Sequence, residues 1–316
     1  MKCLVVGSRG LIGSAISREL TQLDDVYTQA LGIRWTDDSA AKSDLRSIFD
    51  SFRGFVGDET WAIFWCAGKG FLGSLPGALD LEIEVFRSFL SDIATWANTD
   101  GVVVFASSAG AIWNPTRSER IDEDTPENGV TPYAQAKLLQ ETILQQFCRE
   151  SSIGGVIARI SSVYGDGQDL EKQQGLISRM CLASVTRTPV SIFVPLETTR
   201  NYVFARDLAK MMVKAARIEL QSESKGRDAK KLIMCSRDNH SVASICRAVE
   251  SVSQHKLLKS THLSSEMLRY PLHFQLRPRN SEGLLECEST TLVAGVSIVY
   301  REILRRYQLG LISSRP

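Results

Sequence analysis

The first thirteen residues constrain this chain more than any other stretch. Cys3 to Val6 is a short apolar strand, and Gly7-Ser8-Arg9-Gly10-Leu11-Ile12-Gly13 follows it directly. From Ser14 to Leu20 the apolar residues return at helical spacing. A strand, a glycine turn and a helix in that order open a parallel α/β sheet, because the helix must lie back across the strand it follows. Glycines here let the backbone turn tightly and approach a ligand, while the amides that begin the helix favour an anion. The expected ligand is the pyrophosphate of a dinucleotide, cradled by Gly7, Ser8, Arg9, Gly10, Leu11, Ile12 and Gly13. The spacing is Gly-x-x-Gly-x-x-Gly, not Gly-x-Gly-x-x-Gly.

Further apolar runs at Val26 to Ile33, Trp61 to Cys66, Val102 to Ala106, Val156 to Ile160 and Leu232 to Cys235 read as strands, most of them separated by enough chain for a helix. The expected fold class is therefore α/β, a Rossmann-type doubly wound parallel sheet with a smaller, discontinuous C-terminal substrate lobe. Residues 1–164 form the nucleotide-binding domain, with 200–236 returning to it, and 165–199 plus 237–316 form the lobe. Gln221 to Lys230 is polar and reads as an exposed loop. With 37 Lys+Arg against 36 Asp+Glu, no field draws the chain to nucleic acid or to an anionic membrane. No apolar stretch approaches the roughly 18 residues of a membrane span, and the first apolar run is too short for a signal peptide. A cytoplasmic protein is expected. Its seven cysteines, odd in number and irregularly spaced, read as reduced thiols. The four histidines lack metal-ligand spacing, so no metal is expected.

The end of the second strand bears on the choice of cofactor. Leu31-Gly32-Ile33-Arg34 has no acid to hold a ribose 2′-hydroxyl, and Arg34 together with Arg9 would suit a 2′-phosphate. NADP is the favoured cofactor, with NAD the alternative. Asp44 stands where related enzymes place an Asp near the adenine amino group, and Ala67 and Gly68, after the third strand, are further cofactor-binding candidates.

Thr131-Pro132-Tyr133-Ala134-Gln135-Ala136-Lys137 starts a helix whose spacing puts Tyr133 and Lys137 on one face. A nearby ammonium is expected to lower the pKa of the phenol towards a useful range. Upstream, the strand Val102 to Ala106 runs into Ser107-Ser108, hydroxyls at the carboxyl edge of the sheet where substrates of such folds bind. Neighbours on a strand face opposite ways, and the motif in relatives favours the second, so Ser108 is preferred as the catalytic hydroxyl and Ser107 is then a substrate-binding candidate.

These motifs, with Arg159-Ile160-Ser161-Ser162-Val163-Tyr164-Gly165 and Arg200-Asn201-Tyr202-Val203-Phe204-Ala205-Arg206-Asp207, resemble in chain order those of the extended short-chain dehydrogenase/reductases, the NAD-dependent epimerase/dehydratase family. The opening is most similar to GDP-fucose synthase, a family that uses NADPH. The resemblance implies a sugar-nucleotide substrate, with Ser108, Tyr133 and Lys137 catalytic, Ser107, Ser162 and Arg200 facing the substrate, Arg200 at its diphosphate, and a homodimer packed through helices near Leu79 to Asn98 and Tyr133 to Glu150. Apolar content there fits packing on the sheet equally well. Ala109 and Gly167 stand nearest the slots where GDP-fucose synthase carries its epimerising Cys and His. Ser162 replaces a frequent Asn, and Trp113 replaces a Tyr. The expectation is NADPH-dependent reduction of a keto-sugar nucleotide. The alternatives are a 4-epimerase with retained NAD(P) and a non-catalytic relative that senses NADP(H).

Overall fold

The computed structural model describes all residues except 23–25, 28–31, 36, 69, 71–75, 114–119, 172–173, 224–225, 227, 263–271 and 313–316. The chain begins β1 (Lys2–Val6), α1 (Leu11–Thr21), β2 (Val26–Tyr27), α2 (Asp38–Val56), β3 (Trp61–Trp65), α3 (Pro76–Ala94) and β4 (Gly101–Ser108). It continues through α4 (Ala109–Ile112), β5 (Arg120–Ile121), α5 (Pro132–Ser151), β6 (Gly154–Ile160), β7 (Ser162–Tyr164), α6 (Leu176–Thr186), β8 (Val190–Ile192) and β9 (Thr199–Phe204). The last third holds α7 (Ala205–Leu220), β10 (Lys230–Met234), β11 (Asn239–Ser241), α8 (Val242–Ser253), β12 (Lys259–Thr261), β13 (Gln275–Leu276), a 3₁₀ turn (Glu282–Cys287) and α9 (Leu292–Gln308). Positions 28–31 of the expected second strand, Asn114 of the loop after β4, and parts of the polar 221–230 segment lie outside the described residues.

Six strands form one parallel sheet in the order β10-β6-β4-β3-β1-β2. Its central strands are buried on both faces, which explains why Trp61–Trp65 and Gly154–Ile160 are unbroken apolar or small-residue runs apart from Arg159. Alternation along each strand sorts side chains into two cores. Leu4, Val6, Trp61, Ile63, Trp65, Val103 and Phe105 pack on one face against α2, α3 and α5. Cys3, Val5, Ala62, Phe64, Val102 and Val104 pack on the other against α1 and α7. Helices thus cover both faces of a doubly wound sheet, and the strand order reverses beside β1, where a crevice opens outside the carboxyl ends.

The C-terminal half builds a third core from α6, α8 and α9, in which Met180, Ile245 and Val296 are fully buried. A fourth joins Ile112, Trp113 and Ile121 to Phe274 and Leu276, where β13 pairs with β5. The apolar residues of α3 and α5, including Leu79, Phe86, Phe89, Leu144 and Phe147, sit in the sheet core. Asp80, Glu84, Arg87 and Ser91 on α3, and Gln135, Leu139, Thr142 and Gln146 on α5, are left outside. Of the apolar side chains on α5, Leu139 is 44% exposed on this outward face. All seven thiols are free. Among the described residues no helix is long and apolar enough to cross a membrane.

Candidate active site

β1 delivers the chain into Gly7, which holds a left-handed φ of +90°. A side chain there would begin 2.7 Å from both Ala67 N and Cys66 C, so only glycine lets this turn close against the end of β3. Gly13 is equally tight: a Cβ would overlap Gly7 O and stand 2.7 Å from Gly7 C. Gly10 N donates to Gly7 O at 3.0 Å, and Gly10 begins α1 without a side-chain cap. Asp37, Thr131, Ser241 and Thr291 do cap α2, α5, α8 and α9. A cradle that any side chain would fill, at a helix start without a cap, fits the pyrophosphate of a dinucleotide. Ala67 and Gly68 follow β3 into the same crevice.

Arg9 is exposed, and its guanidinium lies over Gly32, where a Cβ would come within 3.0 Å of NH2. Arg34 and Asp44, expected to serve separate parts of the cofactor, are instead one ion pair. Arg34 Nε and NH2 donate to the two carboxylate oxygens at 3.0 and 2.7 Å, and Arg34 N adds a third bond at 3.0 Å. Hydrogen bonding from Arg34 holds the Asp44 carboxyl below its usual range and in turn raises the guanidinium. The fork of Arg34 is thereby occupied, and Arg9 lies exposed at the same edge.

Thr131 Oγ1 accepts the Ala134 amide at 3.1 Å and Pro132 fills the first turn, so α5 starts where the sequence predicts. This sets Tyr133 and Lys137 one turn apart. Lys137 is buried, its ammonium donating to Ala106 O at 3.2 Å and lying 4.7 Å from the Phe105 ring centroid and 5.8 Å from that of Tyr133. Ser108 ends β4, where its hydroxyl accepts the Ala111 amide at 3.3 Å, and it lines the same cavity as the Tyr133 phenol. Ser107 faces away. It is buried, and its hydroxyl donates to Glu141 Oε1 at 2.5 Å, which removes it from the substrate-facing set. Glu141 in turn holds Arg159, fully buried over the Trp113 ring, through bonds of 2.6 and 3.1 Å, and Glu127 pairs with the same guanidinium. Arg159 therefore ties α5 to β6 beneath the site.

The electrostatics run against the simple expectation for the phenol. Burial pushes Tyr133 up to about 12, the Glu82 carboxylate adds to the rise, and only the Ser108 hydroxyl opposes it. Lys137 is lowered by burial, against the pull of Glu82, Glu141 and Cys66. The Lys137 ammonium, which points at Ala106 O, is not among the groups that lower the phenol, and desolvation of the phenolate dominates.

Ser108, Tyr133, Ser162 and Arg200 line one cavity of about 310 Å³, together with Gly70, Ser161, Gln174, Asn201 and Phe274. Arg200 donates to Thr199 O at 2.8 Å, and burial lowers its guanidinium pKa. Asn201 fixes β9 by donating to Ser236 O at 2.8 Å. Glu82, Gln174 and Phe274 carried no motif. A carboxylate on an amphipathic helix reads as a solvated face until the fold turns it inward. Among the described residues no cluster of His, Cys, Asp or Glu is set to hold a metal.

A doubly wound nucleotide-binding sheet with Ser, Tyr and Lys at its carboxyl edge defines an extended short-chain dehydrogenase/reductase. Residues 3–226 match the model of the NAD dependent epimerase/dehydratase family, and the chain belongs to that family. It is 28% identical over 234 residues to a UDP-glucose 4-epimerase of Mycolicibacterium smegmatis, covering 68% of this chain and 73% of that one. It is also 28% identical over 110 residues to a dTDP-4-dehydro-6-deoxyglucose reductase of Escherichia coli, which covers 34% of each. The chain spans only about a third of the length of some curated relatives that it matches, 35% and 34% in two cases. The crystal structure of UDP-glucuronic acid 4-epimerase from Bacillus cereus, in complex with UDP-glucuronic acid and NAD, shares the fold with a TM-score of 0.75. That match has 18% identity and covers 98% of this chain and 100% of that one.

Proposed function

We propose that the chain is an NAD(P)-dependent sugar-nucleotide 4-epimerase in which Ser108, Tyr133 and Lys137 handle the proton at C4 of the sugar. The observation that carries the reading is the cavity where Ser108, Tyr133, Ser162 and Arg200 meet. It is joined by Gly70, three residues beyond the Ala67 that packs on the glycine turn. When bound, the nicotinamide supplies reversible hydride exchange. Tyr133 takes the proton of the C4 hydroxyl and returns it to the same oxygen after the sugar has presented its other face. Ser108 holds that oxygen, and Lys137 keeps a positive charge near it. Arg200 suits the diphosphate, whose charge a guanidinium matches in geometry, and Ser162 suits a sugar hydroxyl. No further acid or base is needed, in keeping with Ala109 and Gly167 in the slots where GDP-fucose synthase has them. We read the protein as cytoplasmic, and as a homodimer on the family resemblance.

A second reading, an NADPH-dependent reductase of a keto-sugar nucleotide, is favoured by Arg9 lying over Gly32 where a 2′-phosphate would sit. Supplying the protein with UDP-glucose and either NAD⁺ or NADP⁺ tests the two. The expected result is the C4 epimer without net change in the nicotinamide, slowed about 10²-fold or more by Tyr133→Phe. No epimer, with NADPH consumed on a 4-keto-sugar nucleotide, would overturn the epimerase reading. In that case Arg9→Ala should erase a preference for NADPH over NADH of about tenfold, or about 1.4 kcal/mol.

A further inference from the structure

Glu82 belongs to α3 and to none of the motifs above. Its carboxylate reaches the carboxyl edge of the sheet, where Oε1 accepts the Gly70 amide at 2.8 Å. The point from which a Gly70 side chain would start is 3.2 Å from Glu82 Oε2 and 3.3 Å from Tyr133 Cδ2. The carboxylate and the phenol ring thus both pack on Gly70, around the space that a side chain there would take. Glu82 Oε2 also stands 3.1 Å from the corresponding point at Gly68, so one side chain lies against both glycines.

We propose that Glu82 is a positioning residue of this site: it pins the segment after β3 beneath Tyr133 and biases the Tyr133–Lys137 pair towards giving a proton rather than taking one. The inference rests on the reading of Tyr133 as the proton-handling group. The described groups about that pair are the Ser108 hydroxyl from β4, Cys66 after β3, Glu141 one turn beyond Lys137 on α5, and Arg200 across the cavity on β9. Ser108 favours the phenolate, whereas Glu82 disfavours it and also favours the ammonium of Lys137. Of these groups Glu82 alone acts on both members of the pair, and in both it stabilises the protonated form. A phenol held protonated is a better donor to a carbonyl oxygen than an acceptor from a hydroxyl. Glu82 therefore sets which half of a reversible C4 oxidation the site runs more readily.

The test reads Tyr133 itself. The protein, saturated with NAD⁺ and carrying carbon-13 at the phenolic carbon of tyrosine, is titrated by NMR, the Tyr133 signal being the one lost in Tyr133→Phe. Glu82→Gln, which keeps an acceptor for the Gly70 amide, should lower the midpoint by about half a pH unit or more and raise the rate on the acid limb about threefold. Glu82→Asp keeps the charge and should stay near the wild type; Glu82→Ser replaces the glutamine variant if that one does not fold. An unmoved or raised midpoint, or a phenolate signal that sets in no earlier in Glu82→Gln than in the wild type, overturns the proposal. Because the titration needs no sugar nucleotide, failure of the epimerase reading leaves this test intact. An unmoved midpoint beside normal turnover rejects the role of Glu82 alone.

Discussion

Replacing Glu141 by Gln should cost this protein much of its stability while barely changing its shape. Glu141 is 2% exposed and Arg159 is fully buried, the two joined by bonds of 2.6, 3.1 and 3.3 Å. Removing the charge at 141 leaves the guanidinium with Glu127, which is a third exposed and shared with Lys231 at 2.7 Å. Breaking a buried pair from one side costs about 3–5 kcal/mol, and the remaining contact with Glu127 argues for the lower end, about 3 kcal/mol. For a chain of this size that is a fall in Tm of about 4–5 °C. Differential scanning calorimetry at neutral pH measures it. A Tm within about 1 °C of wild type would refute the claim that an uncompensated charge is what the core cannot accept. The double replacement Glu141→Leu with Arg159→Met removes both charges and should recover most of the loss. If it is no better than the single change, the loss lies in packing rather than in charge.

Two further outcomes are expected. Gly13→Ala should force the glycine turn open against Gly7, costing about 1–3 kcal/mol and weakening NAD(P)H binding about tenfold or more; unchanged affinity in a fluorescence titration would contradict the close approach. Asp166, which accepts Arg18 at 2.6 Å and Arg206 at 2.8 Å, is held below the usual carboxylate range even though burial pushes the other way. Its stabilisation is therefore present above the unfolded value of about 3.9 and lost as pH falls through the lower folded value. Asp166→Asn should weaken the protein at neutral pH and flatten the loss of stability below about pH 4, as read from urea midpoints at several pH values. Equal steepness in the two proteins would sink the assignment.

What the sequence by itself determined is what near neighbours along the chain can encode. The glycine turn after β1, the apolar runs of five of the six sheet strands, the Thr131-Pro132 start of α5 and the one-turn spacing of Tyr133 and Lys137 are local patterns; of the second run, Val26 to Ile33, the described strand is Val26–Tyr27. Strand and helix periodicity depend on residues within a few positions of one another. The alternation at Ser107 and Ser108 was legible as a parity. Only the fold decided that parity, because Glu141, 34 residues further on, takes the Ser107 hydroxyl. The Arg34–Asp44 pair, the arrival of Glu82 beside Gly70 and the pairing of Gln275–Leu276 with Arg120–Ile121 likewise join residues from separate elements. The phenol of Tyr133 shows the reason most clearly. A four-residue spacing predicts a helpful ammonium, but the proton affinity is a sum over burial and over every charge that the tertiary structure brings near. That sum includes a carboxylate 51 positions earlier in the chain, and here burial is its largest part and raises the phenol.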